Sequence, residues 1–370
     1  MRYKEFGKTG KMLSLFGFGG AKFRNGKSVE ENAEQVIYAY EKGVNHFDSN
    51  SGYTDSEEIF SLALCNFKRD TYFMSTKNQP FFVNSKQQAK DGIKRSLEKM
   101  KLDYFDFYYF WNVKKKDEYV KAISVSQHYE ALLEAKEEGL IQHICLASHL
   151  TGQESIEIMD DGKIEGILLN MSILNFPYTI EAAIHARKKG VGVGVMSPLH
   201  GGLIPQNEEK LSFLSKNGLS PTNEALKFIS GLDYVDYAYV GFRTNEEVDN
   251  ACKIADMNFK IDENELKEIR TVIGHGVDKA CTGCMYCMPY CPQKLPIAEY
   301  MSYYNYKYLF SIPQEEFEKR LAFHRKWFML AKREADAKDC IKCGRCETQC
   351  TQHINIIERL AELSEIEAKL

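Results

Sequence analysis

The sequence has no long apolar run. Nothing in it reaches the roughly 18 residues that a bilayer span needs, and the opening stretch MRYKEFGKTGKM lacks the apolar core of an export signal. It also lacks an excess of either charge. Against 52 Asp+Glu stand 48 Lys+Arg, for a net charge of -4, which speaks against a nucleic acid or an anionic membrane as partner. A cytoplasmic protein is expected. In that reducing compartment, its eleven cysteines are better read as metal ligands than as disulfides. A glycine fingerprint for a dinucleotide is missing too: GFGG at 17–20 runs on into AKFRNGKS, and GVGVGV at 190–195 alternates along a strand, so a doubly wound sheet is disfavoured. What remains is 44% hydrophobic and 27% charged, the make-up of a folded chain with a large core.

One unit, strand then helix, repeats along the first three quarters. β-rich runs occur at 13–20, 44–50, 71–77, 104–112, 142–148, 165–171, 191–198 and 235–242. Between them, segments such as SVEENAEQVIYAYEKG and QQAKDGIKRSLEKMKL space their apolar residues as helices do. Several begin after Ser, Thr or Asn and end on Gly, as helix termini prefer. Eight alternations imply α/β architecture closed into a parallel (β/α)8 TIM barrel over residues 1–275. RYKEFGKTGKML before the first barrel strand reads as a hairpin turning at Gly7 or Gly10.

Barrel chemistry sits where the strands end. Those ends carry Asp48, Lys77, Trp111 and Asn112, then Ser148 and His149, Asn170, Ser197 and Pro198, and Gly241, Phe242 and Arg243. Taken singly, Asp48 can cap a helix, Lys77 can lie on the surface and Ser148 can start a turn. Together they make a polar ring, which Tyr53 completes. Asp48, Tyr53 and Lys77 are chemically coherent: an ammonium beside a phenol stabilises the phenolate and lowers its pKa, and a carboxylate keeps that ammonium charged. The result is a general acid able to protonate a carbonyl oxygen while hydride reaches the carbon.

FDSNSGYTDSEE, FMSTKNQ, LDYFDFYYFWN, CLASHL, MSPLHGG and VGFRTNEEVDN, in that order, resemble the aldo-keto reductase family over residues 1 to about 275. The resemblance implies Asp48, Tyr53 and Lys77 as three of four catalytic residues and a small-molecule carbonyl as substrate. It places Ser148, His149 and Asn170 around a nicotinamide, Ser197, Pro198 and Leu199 along the cofactor, and Gly241 at the end of the last strand. Arg243 and Thr244 fall where the family binds the adenosine 2′-phosphate, implying NADP(H); a guanidinium suits that dianion. The fourth strand departs from the pattern. Trp111 stands where the family has a substrate-orienting histidine, and an indole donates one hydrogen bond but neither accepts nor titrates. Asn112 can supply a neutral donor if the strand end is bulged.

The character of the chain changes over 276–370. CTGCMYCMPYCP holds Cys281, Cys284, Cys287 and Cys291, and CIKCGRCETQC holds Cys340, Cys343, Cys346 and Cys350. C-x2-C-x2-C-x3-C twice over is the pattern of two [4Fe-4S] clusters, the fourth cysteine of each run serving the other cluster. Cys281, Cys284 and Cys287 should therefore share one cluster with Cys350, and Cys340, Cys343 and Cys346 the other with Cys291. Zinc also takes four thiolates, but its modules bring together two separated pairs. Helical spacing between and after the motifs implies an α-helical ferredoxin-like domain, which resembles the extension in an iron–sulfur branch of the same family. Its tyrosines at 300, 303, 304, 306 and 308 read as an electron relay or as a helix face packed on a partner such as the barrel. Cys65, Cys145 and Cys252 read as packing residues.

Joining the halves raises a mismatch: a nicotinamide moves two electrons as hydride, whereas an iron–sulfur cluster moves one. A flavin in the barrel mouth, direct single-electron delivery to a substrate, or clusters of purely structural use would each resolve it. The expected protein is an oxidoreductase. The alternative is an electron-transfer or redox-sensing protein, with a redox partner protein and a barrel that only binds a ligand.

Overall fold

The computed structural model describes residues 1–23, 26–53, 55–78, 83–113, 116–276, 281, 287–310, 312–327, 330, 335–350 and 354–370. The chain folds as two compact units, Met1–Ile204 with Thr222–Asp262 and Pro205–Pro221 with Glu263–Leu370.

The first unit opens with a hairpin of β1 (Tyr3–Glu5) and β2 (Met12–Ser14). Its turn holds both Gly7 and Gly10 at positive φ, 55° and 71°. Eight strands follow: β3 (Phe16–Gly19), β4 (His46–Asp48), β5 (Phe73–Asn78), β6 (Phe105–Val113), β7 (Ile141–Ser148), β8 (Gly166–Asn170), β9 (Gly192–Met196) and β10 (Tyr237–Val240). Each pairs in parallel with the next, and β10 pairs with β3, Ala238 opposite Phe16, so the sheet closes on itself. Around it run α1 (Val29–Glu41), α2 (Ser56–Leu64), α3 (Lys86–Met100), α4 (Lys116–Ser124), α5 (His128–Glu137), α6 (Gly152–Asp160), α7 (Ile180–Lys189), α8 (Pro221–Gly231) and α9 (Asn245–Asp256). The predicted strands all appear. The sequence reading passed over α4, whose KDEYVKAIS buries only Tyr119 and Ala122 and so carries almost no apolar stripe.

Local chemistry sets the helix starts. Ser28 with Glu31 and Thr151 with Glu154 form reciprocal capping boxes on α1 and α6, satisfying N–H groups that a helix start leaves unpaired. The hairpin plugs the base of the barrel with Phe6, which meets Phe107 edge-on at 5.0 Å and Tyr237 at 5.2 Å. Asp236 Oδ2 accepts N–H bonds from Gly7 (3.1 Å) and Val193 (2.8 Å), tying hairpin to barrel. The interior is unusually polar for a packed barrel, with Tyr109, Tyr237, Tyr239 and His46 all buried. Glycine makes the room: a Cβ on Gly194 would come within 2.4 Å of the Tyr237 ring.

The second unit contains α10 (Glu263–Gly276), α11 (Ile297–Phe310), α12 (Gln314–Trp327), a single turn α13 (Arg345–Thr348) and α14 (Ile356–Glu367). The sequence assigns the end of the barrel to residue 275. Here α10 instead groups with the second unit and packs on a 3-10 turn at Ser212–Leu214, where Lys216 pairs with Glu268 at 2.9 Å. Leu295, Tyr300, Tyr303, Phe317, Leu321 and Leu360 are among its core residues. The tyrosine stripe packs within this unit. Tyr300 donates to Glu367 of α14 (2.7 Å), Tyr304 to Glu362 (2.6 Å), and Tyr303 to the Phe317 carbonyl of α12. The Tyr308 side chain lies outside the described residues. Among the described residues, no helix is long and apolar enough to cross a membrane.

Candidate functional site

Asp48 closes β4 and Lys77 stands near the end of β5, both at the C-terminal mouth of the barrel and only 5% and 2% exposed. Lys77 Nζ donates to both oxygens of the Asp48 carboxylate. Pairing is what makes such burial tolerable, since either charge alone at this depth would be strongly destabilising. Ser75, opposite Asp48 in the β4–β5 register, gives its hydroxyl proton to Asp48 Oδ1 at 2.7 Å. Tyr239 of β10 sets its hydroxyl 3.0 Å from Ser75 Oγ.

Tyr53 lies in the loop after β4, half-buried, with the Lys77 ammonium 5.6 Å from its ring centroid. Asn50 shapes that loop: its carbonyl accepts the Tyr53 N–H (2.9 Å), its side-chain oxygen the Gly52 N–H (2.6 Å), and its amide donates to the Lys77 carbonyl (3.0 Å). The three residues expected to act together are thus brought together by two adjacent strand ends and one pinned loop.

The electrostatics differ from expectation in one respect. Burial, and after it the Asp48 charge, raises the Tyr53 pKa well above that of an ordinary phenol instead of lowering it. Burial likewise lowers the Lys77 pKa, with Asp48 opposing. The physical reason is desolvation: a phenolate at this site would lose its hydration, and the nearby Asp48 carboxylate repels it further. The proton therefore stays on Tyr53 until something more basic than water stands beside it.

At the fourth strand end the register slips: Phe110 faces Leu146, but Val113 faces Ser148. Three steps on β6 match two on β7, which is a bulge. Trp111 and Asn112 fill it, and their side chains lie outside the described residues. Ser148 is buried, its hydroxyl 2.9 Å from that of Ser155 and accepting the Leu150 N–H. His149 donates its backbone N–H to Val113 across the bulge (2.9 Å). Asn170 ends β8 opposite Met196. Beyond β9, Ser197 is exposed in a left-handed conformation (φ 59°), Pro198 is buried and Leu199 half-buried. Gly241 follows β10 directly. Arg243 pairs with Glu247 at 3.1 Å, Thr244 caps α9 by accepting the Glu247 N–H, and Lys27 donates to the Arg243 carbonyl at 2.7 Å. This cationic corner at a helix N-terminus suits an anion, although Glu247 competes for the guanidinium.

In the second unit, a small pocket is lined by Cys291, Cys340, Cys343 and Cys346 together with Leu295 and Leu360. One cysteine of the first motif thus joins three of the second. The two halves repeat beyond the cysteines: the Leu295 N–H donates to Cys291 Sγ at 3.4 Å, and the Ile354 N–H to Cys350 Sγ at 3.5 Å. Burial pushes the Cys346 thiol up to about 11. Asn305 clamps Cys281 through its N–H and its carbonyl, both at 2.8 Å. Cys287 is buried in the core, and Cys284 lies outside the described residues. Four cysteines around one pocket, with the Leu295 N–H aimed at the sulfur of Cys291, fit an iron–sulfur cluster held by one thiolate per iron.

The aldo/keto reductase family model matches residues 16–273, well over half the chain. The chain belongs to the aldo/keto reductase family. A 4Fe-4S dicluster domain model matches residues 280–355, so an iron–sulfur domain follows the barrel along the chain. Among its relatives, D-arabinose 1-dehydrogenase of Saccharomyces cerevisiae is 28% identical over 39% of this chain and 48% of that enzyme, about half its length. L-galactose dehydrogenase of Arabidopsis thaliana is 23% identical over 73% of this chain and 93% of that enzyme. A solved aldo-keto reductase of Bacillus halodurans, in its holo form, superposes with a TM-score of 0.60 at 21% identity, covering 74% of this chain and 96% of that one; it speaks for the fold alone. In this aldo/keto reductase the sequence reading missed Asn50, Ser75, Tyr239 and Lys27, and also His200. His200, held at φ 51°, sets Nδ1 3.0 Å from the buried Ser172 hydroxyl, and burial lowers its pKa to about 4. Only Asn50 had a local signal, inside FDSNSGY; the others meet their partners across the barrel.

Proposed function

We propose that this oxidoreductase reduces a small-molecule carbonyl with NADPH at the mouth of the barrel. The buried Lys77–Asp48 pair beneath Tyr53 carries the reading, because packing alone gives no reason to hold an ion pair under a phenol at a strand end. Bound NADPH would supply the hydride. Tyr53 gives its proton to the oxygen as negative charge develops there, Lys77 holds a positive charge under the phenol as it becomes anionic, and Asp48 keeps Lys77 in place. Asn112, or Trp111 beside it in the bulge, offers the N–H that orients the carbonyl in place of a histidine. Ser148, His149 and Asn170 would face the nicotinamide, Ser197 to Leu199 and Gly241 would flank the cofactor, and Arg243, Thr244 and Lys27 would take the 2′-phosphate.

Two [4Fe-4S] clusters are assigned to Cys281, Cys284, Cys287 and Cys350, and to Cys340, Cys343, Cys346 and Cys291. Eight thiols kept for iron suit the reducing cytoplasm. The cysteine-lined cavity favours a second reading, in which an external redox partner exchanges single electrons with the clusters and the barrel only binds a ligand. Anaerobically purified protein separates the two once its iron, sulfide, flavin and nucleotide are measured together. Hydroxylated aldehydes are the first substrates to test, since two relatives are named for sugars. Under the first reading, Tyr53→Phe abolishes NADPH-dependent turnover and leaves the cluster spectrum unchanged. Turnover that survives in Tyr53→Phe sinks it.

A further inference from the structure

A carboxylate in a low-dielectric interior needs more than its counter-ion to stay ionised. Without further donors, an ammonium and a carboxylate in contact relax toward the neutral amine and acid. Asp48 has such a donor in Ser75, at 2.7 Å. A serine hydroxyl has one proton, and a carboxylate can only accept. Ser75 also lies 3.3 Å from the Phe47 carbonyl, a longer and weaker alternative for that proton. The hydroxyl of Tyr239 lies 3.0 Å away; with the serine proton on Asp48 at the shorter distance, Tyr239 is left to donate into Ser75 Oγ, which holds that proton on Asp48. Ser75 and Tyr239 are both buried, 1% and 6% exposed, so water does not replace either bond. Tyr239 is itself fixed, its ring edge-on to Tyr237 at 4.8 Å, while Tyr237 shares a 2.5 Å hydroxyl contact with Tyr109.

We propose that Ser75 and Tyr239 are positioning residues for the catalytic ion pair: Tyr239 orients the Ser75 hydroxyl, and that hydroxyl fixes the Asp48 carboxylate against Lys77 so that the ammonium stays in place beneath Tyr53. The proposal rests on the carbonyl-reductase reading for its catalytic meaning, but the bonds themselves do not. The titratable groups facing Asp48 are Lys77 on β5, Tyr53 in the loop after β4, Tyr109 on β6 and Tyr239 on β10. Only Lys77 among them is cationic, so among the described residues no other positive charge stands in for the serine.

The test uses the full-length protein purified anaerobically with its clusters. Ser75→Ala should lower kcat about tenfold, as expected for losing a hydrogen bond to a charged group, and leave the KM for NADPH unchanged. Tyr239→Phe should lower it less, about threefold. In the Ser75→Ala background, Tyr239→Phe should do nothing further, because it acts through the serine. Ser75→Thr, which keeps the hydroxyl, should restore most of the rate. Independently of turnover, nitrogen-15 NMR of the lysine side chains at neutral pH should show the Lys77 ammonium signal in the wild type and its loss or broadening in Ser75→Ala. If Ser75→Ala lowers the melting temperature while kcat and the Lys77 signal stay as they were, the pair is packing and the proposal is wrong. Additive losses in the double variant would equally overturn the role given to Tyr239. A wild type that reduces no carbonyl would end the functional reading, and the Lys77 signal would still report on the relay.

Discussion

The two compact units keep their reactive groups in opposite ways. In the barrel, the fold completes the site itself: Lys77 has Asp48, Asp48 has Ser75, and Asn50 pins the loop that carries Tyr53. In the cysteine-rich unit, the sulfurs stand around a cavity, and burial disfavours the thiolate form of Cys346. Under the cluster assignment proposed above, what would complete that site is iron. A preformed site depends on packing, whereas a ligated one makes its unit's folding depend on what it holds.

The contrast predicts first, and with the largest effect, that the halves separate when iron is removed. Chelation, or Cys346→Ala, should erase the unfolding transition of the second unit and leave that of the barrel, as read by calorimetry with circular dichroism. Loss of both transitions together would break the comparison. Next in size, Tyr53→Phe should take carbonyl reduction below detection, a loss in kcat of at least about a thousandfold, the scale of a lost general acid, with the melting profile of both units intact.

Acid should then act on the barrel through a different group. His128 is buried against Phe110 at 5.0 Å, with no partner for either ring nitrogen among the described residues. Burial depresses its pKa to about 4. The unfolded chain takes up that proton near pH 6.5, so the stability is fully present above that pH and is lost as pH falls toward about 4. His128→Leu should flatten this fall by up to about 3 kcal/mol, measured as urea unfolding against pH; an unchanged slope refutes the assignment. Smallest of all, Glu247→Gln should release Arg243 from its surface pair and lower the KM for NADPH about threefold, in keeping with the modest worth of exposed ion pairs. A higher KM would place Glu247 on the coenzyme's side.

Much of this was legible in the sequence because it is local or periodic. A buried parallel strand announces itself as a β-branched or aromatic run, and eight of them with helices between leave few topologies. Asp48 and Tyr53 sit in one loop, and the cysteine spacing is itself a pattern. What stayed hidden is what closure of the barrel brings together. Ser75 and Tyr239 are neighbours only because the strands curve round to meet, and nothing in FMSTKN or VDYAYVGF marks them. The tyrosine stripe was visible, but its partners in α12 and α14 were not, since amphipathic spacing tells that a face is covered and not by what. The raised pKa of Tyr53 was hidden for a similar reason: the charge of Lys77 can be counted from sequence, the burial that outweighs it cannot.

The bulge at Phe110–Val113 has a consequence for how this strand end can change. Two residues, Trp111 and Asn112, share the span that Ala147 alone fills on β7, so this strand-end position is written twice and chain length becomes a variable there. Deleting Asn112 returns β6 to flush pairing with Trp111 as sole occupant, and deleting Trp111 does the same for Asn112. Either deletion is a one-codon edit, expected to leave the other barrel strands in register. The strand end is thus a slot whose occupant can be exchanged by shortening the chain, without redesigning the site around it.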